Sequence, residues 1–371
     1  QPDYRTIARF RKENKEAIKQ LLKLNVKLCI KLDLIEGNTL FIDGSKFRAN
    51  ASINNTWDEE RCKKYLEIAE KNIDRLMEEV EQIDQEEEDL GSLVKLNKDL
   101  QDQKKLQEKV RKISKQLKET GKEKINSTDI DSVNGKSRQG SHAIMNCQIS
   151  TDEKHGFIVN SDAVSQNNDL NQFASQVEQS KETLERAPAN VVSDAGYFSL
   201  DDIDKVPEGV NVIMPSRKQA QKENKKTQVK PFGTEEFHYD KESDEYTCPA
   251  GKTLKKHKIA FGDENKIDYK ANGKECRSCE HFGVCTTSKK GRHIIRMKEN
   301  EELKAKLEET YQQEEGQRLY KLRKEKVELP FGHMKRNLGA GQFLLRGKEG
   351  VNAELSILST CFNIARMITI I

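Results

Sequence analysis

What this sequence has little of narrows its class before any motif is read. Apolar residues make up only 34% of its 371 positions, matched by charged residues at 34%. Such a chain is polar for a globular protein without being disordered throughout. Runs such as Leu40-Phe41-Ile42, Val210-Asn211-Val212-Ile213-Met214 and Ile357-Leu358 can build a core of moderate size. An excess of one charge is also lacking: 65 Lys and Arg face 62 Asp and Glu, a net of +3. A nucleic-acid partner would have to be met by segregated charge. That segregation exists, since the C-terminal third gathers cations around Arg292, Arg323 and Arg336 while Asp58 to Glu88 is acidic. Nor is there the dense cysteine framework of a small secreted domain. Of eight cysteines, four cluster from Cys248 to Cys285, and Cys29, Cys62, Cys147 and Cys361 read as single core or surface thiols. No signal-peptide pattern opens the chain. Gln1 heads what already reads as the middle of a helical segment, so a missing N-terminal region is expected. The apolar stretch from Val351 to Ile371 carries Asn352, Glu354, Asn363 and Arg366. It predicts a buried amphipathic helix and no membrane partner.

Periodicity supplies the elements that are present. Ile7, Phe10, Ile18, Leu21, Leu22 and Leu28 fall at helical spacing, and Gly37-Asn38 then predicts a turn. Thr39 to Asp43 predicts a short strand ending on an acid, with Gly44 just after it. Residues 58–124 show two helical stripes, predicting an antiparallel arm divided at Gly91-Ser92. Ala143–Ile149 and Gly156–Val164 read as strands, Leu170–Ala187 as a helix, and Val191-Val192 and Val210–Met214 as further strands. Glu236–Tyr239 and Ile267–Tyr269 look strand-like, and Asn300–Lys326 is a charged helix. The alternation predicts an α/β fold, a mixed sheet with helices on both faces. Four segments result: residues 1–38, helical; 39–216, a first core part with a helical insertion at 58–124; 217–296, a cysteine-containing insertion; and 297–371, a second core part with a C-terminal helix.

Asp43 and Asp194 each close an apolar run and stand shortly before a glycine. Carboxylates on two such strands can surround a hard cation. Glu328, before Leu329-Pro330-Phe331-Gly332, could close the site from a helix. Three carboxylates at one point repel unless cations lie between them. Two ions about 4 Å apart would activate a nucleophile and stabilise a leaving oxygen on phosphorus. Solvated strand caps are the plainer reading of such acids. Asp129, Asp131 and Asp169 are assigned structural roles, Asp169 as a helix cap. Cys248, Cys276, Cys279 and Cys285 form C-x27-C-x2-C-x5-C. Four thiolates at this spacing suit a structural zinc, and four reduced thiols in a small fold are the alternative.

The motifs Ile42-Asp43-Gly44-Ser45-Lys46 and Asp194-Ala195-Gly196-Tyr197 resemble the first two acidic motifs of bacterial insertion-sequence transposases with a DDE catalytic domain. Val327-Glu328-Leu329-Pro330-Phe331-Gly332-His333-Met334-Lys335 resembles the third. The likeness continues through Asn50-Ala51-Ser52 and the cysteine-bearing insertion, across nearly the whole chain. Tyr320, Arg323, Glu328 and Lys335 resemble the tyrosine-arginine-glutamate-lysine signature of related enzymes. Lys335 follows Glu328 by seven, whereas Arg323 precedes it by five, one more than in the best-known version.

The resemblance implies a ribonuclease-H-like fold and two Mg2+ or Mn2+ ions held by Asp43, Asp194 and Glu328. It implies cleavage at transposon ends and transfer of the 3′-hydroxyl to target DNA. The partners it implies are double-stranded DNA and a second copy in the DNA complex, with a cytoplasmic, nucleoid-associated location. Lys46, Arg292, Tyr320, Arg323, Lys335 and Arg336 are the expected DNA contacts, with Arg323 and Lys335 gripping phosphates. The competing expectations are a nuclease without strand transfer, an inactive domesticated DNA-binding protein, and a zinc-stapled scaffold whose helical arm binds protein.

Overall fold

The computed structural model describes residues 3–86, 90–137, 140–216, 219–220, 231–260, 266–297 and 301–371. The chain opens with helices α1 (Tyr4–Glu13) and α2 (Lys15–Lys31), then strands β1 (Thr39–Arg48) and β2 (Thr56–Trp57). Helices α3 (Glu59–Glu86) and α4 (Leu90–Thr120) follow, with β3 (Ile125–Asn126), β4 (Val133–Ser137), β5 (Gly140–Asp152) and β6 (Ile158–Val164). Next come α5 (Phe173–Leu184), β7 (Asn190–Val192), α6 (Leu200–Ile203) and β8 (Asn211–Ile213). Five strands succeed them: β9 (His238–Asp240), β10 (Glu245–Thr247), β11 (Thr253–Ile259), β12 (Lys266–Ala271) and, after α7 (Gly273–Arg277), β13 (His293–Met297). The chain ends in α8 (Glu301–Gln312), α9 (Glu314–Arg336) and α10 (Gly347–Ile370). The fold is mixed α/β.

Two compact units are present: residues 1–169, 179–188 and 324–371 in the first, and 170–178 with 189–323 in the second. In the first unit β5 is the central strand, antiparallel to β1 on one side and to β4 and β6 on the other. β1 does not end at Asp43. It runs on to Arg48, because Gly44 to Arg48 stay in register with Gln148 to Ile144. Backbone pairing with a long neighbour overrides the turn-like look of Asp43-Gly44-Ser45. Beneath this sheet lie Val26, Cys29, Phe47, Met145, Cys147, Phe331, Met334 and Leu355, all buried.

Helix α10 is long and apolar enough, by length and composition, to cross a membrane. Its apolar face here covers the sheet. Asn363 accepts from the Ile158 N–H and donates to the Ile158 carbonyl, both at 2.8 Å. Asn352 accepts from the Ala163 N–H at 2.6 Å. These amides satisfy backbone groups along β6 that an unprotected strand would expose to chance pairing. Asp129 and Asp131 receive the N–H groups of Gly347 and Lys348 at the start of α10, at 3.2 and 2.8 Å. Both carboxylates thus serve orphan donors of a helix terminus.

The arm consists of α3 and α4, closed at its base by the β2–β3 pair and by Trp57, Cys62, Val110, Ile113 and Ile125. Gly91 and Ser92 lie inside α4 and do not divide the helices. Enough helix-forming neighbours surround them to absorb two weak positions. In the second unit β7 and β8 are parallel, and β9 to β13 form an antiparallel sheet ordered β13-β12-β11-β10-β9. The stretch read as a strand from Glu236 begins as a 3-10 turn, Thr234–Glu236, before β9. The charged stretch after residue 300 is two helices, α8 and α9.

Candidate active site

In the first unit the site is built where α9 crosses β1. Asp43 is half-buried opposite Ile149, and its Oδ1 accepts from the Gly44 N–H at 2.9 Å. Alternation along the strand puts Ser45 and Phe47 on the same face as Asp43. That face meets α9. Val327, Phe331 and Met334 are buried and tie the helix to the core, and the Phe47 and Phe331 rings lie 6.1 Å apart. Glu328 is exposed. Seven residues later, two turns along the same stripe, stands Lys335. Pro330 lies inside α9 and removes one of its hydrogen bonds, a defect a helix carries only when packing holds it.

The Lys335 ammonium donates to Ser45 Oγ at 2.6 Å and to the Lys46 carbonyl at 3.0 Å. It stands 4.5 Å from the centre of the Phe47 ring and 5.9 Å from that of Phe331. Burial pushes its pKa below the ordinary lysine value, opposed by Cys147 on β5. Ser45, on β1 opposite Cys147 of β5, is the side-chain anchor of this lysine. In the sequence Ser45 is only a member of the Ile42–Lys46 motif, with no local signal of this contact.

The opposite face of β1 carries a second arrangement that the sequence did not disclose. Asp169 Oδ1 accepts from Asn146 Nδ2 at 2.9 Å and Gln148 Nε2 at 2.7 Å. A Cβ at position 44 would lie 2.3 Å from that oxygen and 2.6 Å from Gln148 Nε2, so any larger residue must displace this hydrogen-bonded pair. Asp169 is therefore not the cap of α5. That place belongs to Asp202, whose Oδ2 receives the N–H groups of Phe173 and Ala174 at 2.9 and 3.3 Å. Lys46 and Arg336 are exposed, and His333 stands edge-on to Phe362 at 5.5 Å.

In the second unit Asp194 follows β7 and accepts the Gly196 N–H at 2.7 Å, closing an Asx turn that starts a 3-10 helix. The carboxylate is half-buried. Tyr320 packs edge-on to Tyr311 at 5.1 Å, and the Arg323 guanidinium lies 5.6 Å from the Tyr320 ring. Arg292 turns inward. It donates to the Phe232 carbonyl at 3.1 Å and faces the Phe237 ring at 5.6 Å. Its planar fork is held by a carbonyl and an aromatic face, away from the exposed cations.

Cys248, Cys276, Cys279 and Cys285 line one cavity together with Arg292, and none is in a disulfide. Burial pushes the Cys285 thiol up, Arg292 opposes it, and the other three cysteines add to it. Cys248 Sγ accepts the Lys252 N–H at 3.2 Å. Among the described residues, no three His, Cys, Asp or Glu side chains stand together as a ready-made metal cage. The donor types nevertheless fit: hard carboxylate oxygens for a divalent cation in the first case, soft thiols for zinc in the second.

A helix that carries the exposed acid Glu328 is thus pinned through Lys335 to β1, two residues beyond Asp43. Residues 247–368, about a third of the chain, match the family model described as Transposase DDE domain, and over that stretch the chain is similar to DDE transposases. The match takes in the four clustered cysteines, Glu328 and Lys335, while Asp43 and Asp194 precede it. No curated protein and no solved structure matches the chain.

Proposed function

We propose that the protein is a DNA transposase with a ribonuclease-H-like core, cutting phosphodiester bonds at transposon ends and joining the freed 3′-hydroxyl to target DNA. The observation that carries this reading is Lys335, pinned to β1 two residues beyond Asp43 while sharing its helix stripe with Glu328. Asp43, Asp194 and Glu328 would hold two Mg2+ or Mn2+ ions, which when bound supply an activated nucleophile and charge stabilisation at phosphorus. The chain's own residues do the positioning. Lys335 presents a fixed cation to a phosphate oxygen, and Arg323, steadied by Tyr320, supplies a second. Lys46 and Arg336, both exposed, extend the contact along the backbone of duplex DNA. The enzyme acts as a homodimer on paired ends, in the cytoplasm at the nucleoid. Four cysteines lining one cavity support a single structural zinc in the 217–296 insertion.

The test is cleavage of a duplex bearing the terminal repeats that flank the coding sequence, with Mg2+ or Mn2+ and a target plasmid. Nicking followed by strand transfer is expected. Nicking without joining would make the protein a nuclease of the same family. DNA binding without nicking would make it an inactive derivative. Elemental analysis of protein purified without chelator should find about one zinc per chain, and less than about a tenth of an equivalent would remove the zinc.

A further inference from the structure

The insertion's outer sheet face carries a cationic strip that the catalytic assignments do not use. On β11, β12 and β13 the register sets Lys255 opposite Lys270, and Lys270 opposite His293. Strands lie about 4.8 Å apart, so these three positions cross about 10 Å of sheet in one row. Five basic residues, Lys252, Lys255, Lys256, His257 and Lys270, line one open concavity with Asn272 and a single acid, Glu275. The His257 and His293 rings stand 6.2 Å apart, and the buried Asp268 carboxylate fixes His293 through Nδ1 at 2.9 Å. Lys252 is placed by the cysteine turn: its N–H bonds Cys248 Sγ at 3.2 Å and its carbonyl accepts the Cys248 N–H at 2.8 Å.

Like charges directly opposite on neighbouring strands destabilise a sheet. Lys255 facing Lys270 is such a pair. Glu245 approaches Lys255 at 3.5 Å, but the lysine side chain is 76% exposed, so water screens the pair. Among the described residues, Lys252 and Lys270 have no carboxylate at ion-pair distance. An anion lying across the row would return the stability that this arrangement gives up. The anion must be extended, because the lysines are spread over two strands and a turn along an open concavity. Duplex DNA offers one negative charge per about 1.7 Å of axis, so about 10 Å of sheet meets roughly six phosphate charges.

We infer that the outer face of β11–β13, through Lys252, Lys255 and Lys270, is a second DNA-backbone surface, gripping duplex away from the cleaved bond without reading sequence. This rests on the transposase reading and adds to it a place on the insertion where flanking duplex is held.

The experiment uses the whole chain with neither divalent metal nor chelator added, so that cleavage does not intervene and a structural zinc is not stripped. The probe is a labelled duplex of about 30 base pairs and arbitrary sequence, titrated over a series of sodium chloride concentrations. The triple variant Lys252→Gln, Lys255→Gln, Lys270→Gln should bind roughly tenfold more weakly per lysine lost at about 0.1 M salt. Its slope of log affinity against log salt should be shallower by about 0.9 per lysine. Its melting temperature should hold or rise, since the Lys255–Lys270 repulsion is gone. Unchanged affinity and slope, with wild type binding the duplex, would overturn the strip and leave the transposase reading standing. A variant that melts well below wild type is replaced by Lys270→Gln alone, for which one unit of contact should be lost, and no loss overturns the proposal. A wild type that binds no duplex at any salt concentration overturns both readings.

Discussion

Lys335 and Ser45 are 290 residues apart in sequence and 2.6 Å apart in space, and their bond sets a cation beside the Asp43 strand. The ammonium is held between two phenyl rings and a carbonyl, in surroundings that lower its pKa through burial. Such a charge is poor material for stability and good material for gripping a phosphate.

Replacing Lys335 with Met keeps an unbranched stem between Phe47 and Phe331 and removes the buried charge. The melting temperature should stay within a few degrees of wild type or rise, whereas strand transfer should fall at least about 100-fold. Ser45→Ala should fall in between, near about tenfold, because the lysine loses one of its two anchors. Calorimetry beside a transfer assay checks both. A large stability loss with little change in transfer would make Lys335 a structural residue.

Gly44→Ala sets a methyl group 2.3 Å from Asp169 Oδ1 and 2.6 Å from Gln148 Nε2. These atoms bond each other at 2.7 Å and cannot both withdraw without losing that bond. The substitution should cost about 1–3 kcal/mol, the usual range for overpacking. Adding Asp169→Ala should return part of that loss, as expected when two positions compete for one space. Denaturant unfolding of the two single variants and the double variant measures the coupling, and strictly additive losses would sink the steric account.

How much of this was legible in the sequence depended on distance along the chain. Leu40-Phe41-Ile42 announced a strand, and the seven-residue step from Glu328 to Lys335 announced a shared helix stripe. Both signals are local. The extension of β1 to Arg48 was not readable, because Gly44 has little strand preference of its own and is held by its partner Gln148. Ser45 reaching Lys335, and Asp169 resting on Gly44, depend on contacts across more than a hundred residues. No spacing rule encodes them. Asp169 reads as a cap from its place just before a helix, yet Asp202, thirty-three positions later, performs that task. Composition groups Arg292 with the surface cations, whereas Phe232 and Phe237 turn it inward.

Asp152 gives a pH dependence with a definite sign. Burial is the largest influence and raises its pKa, while the N–H groups of Gly37, Glu36 and Lys154 pull the other way and only partly offset it. The folded state therefore takes a proton more readily than the unfolded chain. The stabilisation from protonation is fully present below the unfolded value near about 3.9, and is lost as pH rises through the higher folded value. The melting temperature of wild type minus that of Asp152→Asn should therefore increase as pH falls from about 7 to about 4. Taking the difference cancels the other carboxylates, and a difference that shrinks toward acid would reverse the assignment.

Glu328 is separated from its acidic neighbour Glu325 by more than position. Both are exposed on α9, but only Glu328 shares the stripe that leads to Lys335 and the Asp43 face. Glu325 instead sits where it acts on Arg366, a cation whose own pKa burial lowers. Glu328→Gln keeps the shape and one oxygen while removing the negative charge. The fold should survive it, since an exposed carboxylate contributes little to stability. Duplex binding should hold or tighten through lost repulsion. End cleavage and strand transfer should fall together by at least about 100-fold, because a divalent ion loses an anionic ligand needed as charge develops at phosphorus. Glu325→Gln should leave cleavage within about twofold, and its effect should appear, if anywhere, as a small change in melting temperature through Arg366. Cleavage of the terminal-repeat duplex, measured side by side for the two variants with Mg2+ and with Mn2+, decides between them. Full cleavage by the Glu328 variant would take this residue out of the site, and loss of cleavage in the Glu325 variant alone would put Glu325 in its place.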